Sequence, residues 1–79
     1  MAKYLSLDEW DSDGYEKVVI NDFDPNYIFE YPISAFEIAN ELKGEIVALH
    51  YSSDYILSED SIDNCEYLGY GIIKDGEVL

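Results

Sequence analysis

"ISAFEIANELKG" (Ile33–Gly44), running straight into "EIVALHY" (Glu45–Tyr51), is the stretch that decides the fold. Ser34 and Glu37 stand at capping-box spacing, Ile33 and Ile38 can staple the entry of the chain, and Gly44 after Lys43 is a C-terminal stop. Ala35, Ile38, Ala39 and Leu42 fall on one apolar stripe and leave Glu37, Asn40 and Glu41 outward, so an amphipathic helix is expected. The run after it is apolar at successive positions, as a central strand buried on both faces is. A helix feeding such a strand implies a sheet with the helix laid on it.

Outward from this pair the signals are those of further strands. On the N-terminal side "YEKVVIND" and "NYIFEY" are rich in β-branched and aromatic residues, and "FDPN" between them carries a proline turn signal, so a hairpin-like unit is expected. On the C-terminal side "SEDSIDNCEY" (Ser58–Tyr67) is either an acidic loop or a short helix begun at Ser58. In the helix, Asp60 would favour the positive end of the dipole, and Glu59, Asp63 and Glu66 would share a face. "YLGYGIIKDGEVL" (Tyr67–Leu79) alternates Leu68, Tyr70 and Ile72 on one face before an Asp-Gly turn and a stub of edge strand. The expected fold is α+β in a single domain over residues 1–79: a three- or four-stranded, mainly antiparallel sheet with one amphipathic helix packed on it and a possible short second helix.

Charge narrows the partners. Eighteen Asp and Glu face four Lys and no Arg, a formal net charge of −14, yet 48% of the residues are hydrophobic and eight are tyrosines. Disordered acidic chains are poor in apolar and aromatic residues, so a folded domain is expected. A chain of this sign repels nucleic acid and anionic membrane surfaces, and any partner steered to it by charge is basic. With no apolar run of spanning length, no signal peptide and a single cysteine, the sequence reads as cytoplasmic, in the host cell's cytoplasm if a phage encodes it. Cys65 reads as a small core residue and His50 as a packed or edge residue of its strand.

The acidic residues are densest in "DEWDSDGYE" (Asp8–Glu16), where Asp8, Glu9, Asp11, Asp13 and Glu16 crowd around one tryptophan and one tyrosine. Set as a calcium loop, Glu9, Asp11, Asp13 and Gly14 fit its first half. The pattern then demands a bidentate Glu where Ile20 stands, and an apolar residue where Glu16 stands. A calcium-binding regulatory module around Glu9–Glu16 is therefore a minor alternative. No phosphate-binding glycine loop, CxxC pair or nucleophile with an oriented base appears, and the expectation is a protein that is not an enzyme and takes no cofactor or metal.

Presentation of charge fits the pattern better. Carboxylates two apart on an extended segment lie roughly 6.6 Å apart on one face, the spacing expected for Asp11/Asp13 and Asp22/Asp24. Glu37/Glu41 and Glu59/Asp63 are placed about one helical turn apart, roughly 5–6 Å. Phosphates on a DNA strand repeat every 3.4 Å or so, and both strands together give one charge per about 1.7 Å. The candidate partner-binding residues are Asp8, Glu9, Trp10, Asp11, Asp13, Tyr15, Glu16, Asp22, Asp24, Glu37, Glu41, Glu59, Asp60 and Asp63. Trp10 and Tyr15 are expected as partly exposed aromatic anchors, with Trp10 packed down as the cap of a small core as the alternative, and Asp8–Glu16 with Asp22 and Asp24 form the expected contact stripe.

Over "DGYEKVVINDFDPNYIFEYPISAFEIANEL" (Asp13–Leu42), at Tyr15, Glu16, Ile20, Asp22 to Asp24, Tyr31 and the helix from Ser34, the chain resembles the ArdA-type antirestriction proteins of phages and mobile elements. The resemblance implies an acidic α/β module whose carboxylates mimic DNA phosphates and occlude the DNA-binding groove of a restriction-modification enzyme. A small phage inhibitor of a CRISPR effector has the same features. The expected function is thus a nucleic-acid-mimicking inhibitor whose partner is a basic nucleic-acid-binding defence nuclease or its complex, with monomer and homodimer both open. The alternative within the same class is an immunity protein or antitoxin covering a basic nuclease toxin.

Overall fold

The computed structural model describes residues 3–21 and 24–79. Along the chain come β1 (Leu5–Trp10), β2 (Glu16–Ile20), α1 (Pro32–Leu42), β3 (Glu45–Ser52), β4 (Cys65–Lys74) and β5 (Glu77–Val78), with a 3-10 helix at Glu59–Asn64 between β3 and β4. All five strands lie side by side in chain order. The α+β class and the single α-helix on the sheet are as the sequence implied.

The sheet itself corrects the expectation of three or four mainly antiparallel strands: it is five-stranded and mixed. β2 and β3 run parallel, with Lys17 level with Ala48 and Ile20 level with Tyr51, while the β1–β2, β3–β4 and β4–β5 pairs are antiparallel. Two local readings account for the difference. "LSLDEW" is a strand, although its acidic end obscured the Leu5/Leu7 alternation. "NYIFEY" is not a strand: only Phe29 pairs, bridging Tyr70 through two 2.8 Å backbone hydrogen bonds. The chain therefore leaves β2, passes through α1 and returns as β3, the crossover that parallel pairing requires.

α1 begins two residues before Ser34. Pro32 fills its first turn, where a missing N–H is no loss, and Tyr31 is the N-cap without a side-chain capping bond. The Ser34/Glu37 capping box does not form, because Ser34 already lies inside the first turn, its N–H donating to the Tyr31 carbonyl at 3.1 Å. At the other end it is Lys43, not Gly44, that takes the left-handed conformation (φ 58°). Gly44 is needed for space instead: a Cβ there would lie 2.6 Å from Ile72 Cγ2 and 2.7 Å from the Ile73 carbonyl. Ala35 and Ala39 are buried, Ile38 and Leu42 half-buried.

Both faces of the sheet are covered. Val18, Ile20, Val47, Leu49, Ile73 and Val78 pack with Tyr4 and Leu68 on one side. Ala48 and Tyr70 pack with Ala35, Tyr15, Phe29 and Ile46 on the side of α1. The alternation of Val47 and Leu49 against Ile46 and Ala48 is what made "EIVALHY" look apolar throughout. Leu68 and Tyr70 were expected on one face with Ile72. A bulge separates them: Leu49 pairs Gly69 but His50 pairs Tyr67, which leaves Leu68 unpaired. Gly69 holds φ +147°, and a Cβ there would meet the Phe29 carbonyl at 2.8 Å. The Asp-Gly turn does close β4 onto β5, with Asp75 and Gly76 both at positive φ (55° and 79°).

The acidic segment after β3 does become a short helix begun at Ser58, where the Ser58 N–H donates to Ser61 Oγ at 3.0 Å. It is 3-10, with three residues per turn, so Glu59 and Asp63 do not share a face, and Glu66 belongs to β4. His50 is packed as expected, whereas Cys65 lies at the edge of the fold rather than in the core. The His50 ring meets Tyr67 edge-on at 5.4 Å, and half-buried Cys65 donates to the Ile62 carbonyl at 3.2 Å. No helix among the described residues is long and apolar enough to cross a membrane.

Candidate partner-binding surface

The stretch Asp11–Tyr15 is a tight turn joining β1 to β2, not an extended segment, and this redefines its carboxylates. Asp11 Oδ1 accepts the backbone N–H groups of Asp13 at 3.0 Å and Tyr15 at 2.9 Å. Its Oδ2 accepts the Tyr70 hydroxyl at 2.6 Å, and Asp13 Oδ2 lies 3.1 Å from the same oxygen. The 6.6 Å same-face spacing expected for Asp11/Asp13 is therefore replaced by two carboxylates gathered around one phenol. Burial works to raise the Asp11 carboxyl, but the bonds from Tyr70 and from the turn's N–H groups outweigh it and hold the group below its ordinary value. Tyr70 is pushed up, first by its bond to Asp11 and then by burial and Asp13. Asp11 is thus an ionised acceptor built into the fold, and the turn holds its shape through it.

Tyr70 also anchors a run of rings. Tyr15 meets it edge-on at 5.5 Å, and Tyr67 meets it at 6.3 Å before contacting His50. Tyr15 is half-buried by this packing, whereas Trp10 is 61% exposed at the end of β1. Glu9 reaches Lys17 at 3.9 Å, the single ion pair among the described residues. Asp8, at φ 53°, sits in the irregular stretch of β1 with its carboxylate exposed. Glu16 is half-buried and accepts the Ser6 hydroxyl. Of the would-be calcium ligands Glu9 thus turns to Lys17 while Asp11 and Asp13 share Tyr70, and no three metal-ligating side chains converge among the described residues.

The remaining expected residues are spread over the molecule. Asp24, Glu37, Glu41, Glu59, Asp60 and Asp63 are all exposed; Asp22 lies outside the described residues. Glu37 and Glu41 stand one turn apart on α1, as their spacing predicted. Glu59, Asp60 and Asp63 are carried by the 3-10 helix beside the C-terminal end of β3, opposite the β1–β2 turn at its other end, so the two clusters do not form one patch. Among all described carboxylates only Asp11, Glu16, Asp54 and Glu77 are half-buried rather than exposed.

One feature of this surface was not read from the sequence. Between the β1–β2 turn, the start of β3 and α1 runs a groove of about 400 Å³, walled by Trp10, Tyr15 and Phe36 and floored by Ala39 and Ile46. Phe36 is 57% exposed and Ile33, one turn away, 82%. Both lie off the Ala35/Ile38/Ala39/Leu42 stripe, and that second apolar edge of the helix was the available signal.

No protein-family model, curated protein or solved structure matches the chain.

Proposed function

We propose that this protein is an inhibitor that presents carboxylates in place of nucleic-acid phosphates and blocks the DNA- or RNA-binding site of a bacterial defence enzyme, either a restriction-modification enzyme or a CRISPR effector. The observation that carries the proposal is the density of exposed, unneutralised carboxylate. The body is 33 Å long, comparable with one turn of B-DNA at about 34–36 Å. Duplex of that length carries roughly 19 phosphates at one per 1.7 Å, and the chain's net −14 is about three-quarters of that. Self-repulsion of this size opposes folding. A basic nucleic-acid channel is the surface against which it becomes an advantage, through fast steered association.

The test is competition. Immobilised protein is used to capture a restriction or CRISPR enzyme at low ionic strength, and the complex is challenged with a duplex of roughly 30 base pairs. Release by the duplex, and by raising salt from about 50 to 200 mM, is expected of a polyanion substitute. Retention on an enzyme whose channel already holds the duplex would overturn the proposal.

A further inference from the structure

We infer that the groove between α1 and the β1–β2 turn is a docking site for a basic segment of the partner, one apolar side chain seated between Trp10 and Phe36 with lysines or arginines on either side of it. The inference rests on the partner being basic, and adds to charge mimicry a short-range contact of defined place. The groove's volume lies at the small end for ligand pockets, room for a large side chain and its neighbours in the chain. Its lining mixes aromatic and aliphatic side chains with the polar Glu16, Asn40 and Glu45, and an apolar group gains by burial against the former.

Charge decides what surrounds that group. Glu16 and Glu45 line the groove and no lysine does. The two lysines next to lining residues are Lys17, which Glu9 reaches at 3.9 Å, and the exposed Lys43 before Gly44, fewer than the carboxylates around them. Glu37 follows Phe36 on the exposed side of α1, and Asp13 precedes Gly14 at the lip of the turn. A second copy of this chain would bring another −14 to the same place, which like-charge juxtaposition opposes. A cationic segment finds complementary charge on the rim and an apolar seat within it. Aromatic anchors from which a partner excludes water, ringed by polar groups, are the arrangement from which interfaces draw most of their affinity.

The probes are three synthetic nonapeptides: four lysines on each side of a central leucine, the same peptide with a central serine, and the leucine peptide flanked by glutamates. Binding is followed by the Trp10 indole resonance and backbone amide shifts. The lysine-flanked leucine peptide is expected to move Trp10, Phe36, Ala39 and Ile46 together, and to bind roughly tenfold tighter than the serine peptide, the gain of burying one apolar side chain. Phe36→Ser, on an exposed position, should abolish that tenfold preference while melting like the parent. Equal binding of the leucine and serine peptides, with shifts scattered over the acidic surface, would overturn the groove and leave phosphate mimicry standing. Equal binding of the glutamate-flanked peptide, or movement of Trp10 with protein concentration alone, would overturn it in favour of an uncharged ligand or a second copy. Groove selectivity kept while duplex fails to displace the captured enzyme would instead retain this site and remove the mimicry.

Discussion

Tyr70 joins the acidic turn to the middle of the sheet with one hydroxyl, and its removal has a definite cost. In Tyr70→Phe, Asp11 and Asp13 lose their shared donor, and hydrogen bonds to charged groups contribute about 1.5–3 kcal/mol. The lower part of that range is expected because the turn keeps contact with water. The pH dependence follows from the two shifts. Asp11 is held below its ordinary 3.8, so the stability it contributes is complete above about pH 4 and is lost as acid drives pH down through the lowered folded value. Tyr70 is raised above its ordinary 10.0. Its contribution is complete below about pH 10 and is lost as pH rises beyond it, because the unfolded phenol then ionises first. Urea titrations from pH 2 to 11 should therefore give a parent profile falling at both ends and a flatter one in Tyr70→Phe. Parallel profiles would mean that the hydroxyl contributes nothing to the turn.

At the scale of elements, α1 starts on an uncapped tyrosine, which leaves room for improvement. Tyr31→Ser places a hydroxyl where the backbone is already extended (φ −125°, ψ 143°), and a gain of about 0.5–1 kcal/mol is expected from the new N-cap in thermal or urea unfolding. Gly69→Ala acts the other way. Both the positive φ and the approach of the Phe29 carbonyl oppose a Cβ, and a loss of roughly 1–3 kcal/mol, some 5–20 °C in Tm for a domain of this size, should result. An unchanged Tm would show that the bulge relaxes freely. These two sites also mark what the sequence could tell. The apolar stripe of α1, the two-faced strand of Val47 and Leu49 and the Asp75-Gly76 turn are local patterns, and each was legible. The bulge at Leu68 was not, because it lies where a backbone segment around Phe29 meets β4 from far along the chain. Parallel pairing of β2 with β3 is likewise a long-range choice, and Leu5/Leu7 were overshadowed by the carboxylates that follow them. The same limit applied to the site: Trp10 was placed among exposed aromatics by its acidic neighbours, but its juxtaposition with Phe36 depends on how α1 crosses the sheet.

For the whole molecule, repulsion among carboxylates neutralised by one ion pair among the described residues predicts that monovalent salt raises Tm as the Debye length shortens. Calcium should raise it no more than magnesium does at equal concentration, because Glu9 turns to Lys17 while Asp11 and Asp13 turn to Tyr70. A calcium-selective rise abolished by Asp11→Asn would reinstate a shaped metal site. The decisive prediction concerns which exposed carboxylates face the partner, for a phosphate substitute must engage along one side rather than everywhere. On the proposed reading that side is the one carrying the exposed Trp10 and Phe36, so Glu37→Lys with Glu41→Lys should weaken inhibition by orders of magnitude, since like charges forced together in a desolvated contact cost several kcal/mol. Glu59→Lys with Asp60→Lys, on the 3-10 helix at the opposite end of β3, adds the same four units of charge and lies off that side. It should change the association rate at low salt and leave the dissociation rate nearly as it was. Both pairs are exposed, so both variants should fold, and circular dichroism with Tm checks that they do. If the two variants lose inhibition equally, total charge rather than its arrangement governs binding, and a surface built to imitate a nucleic acid is no longer the explanation.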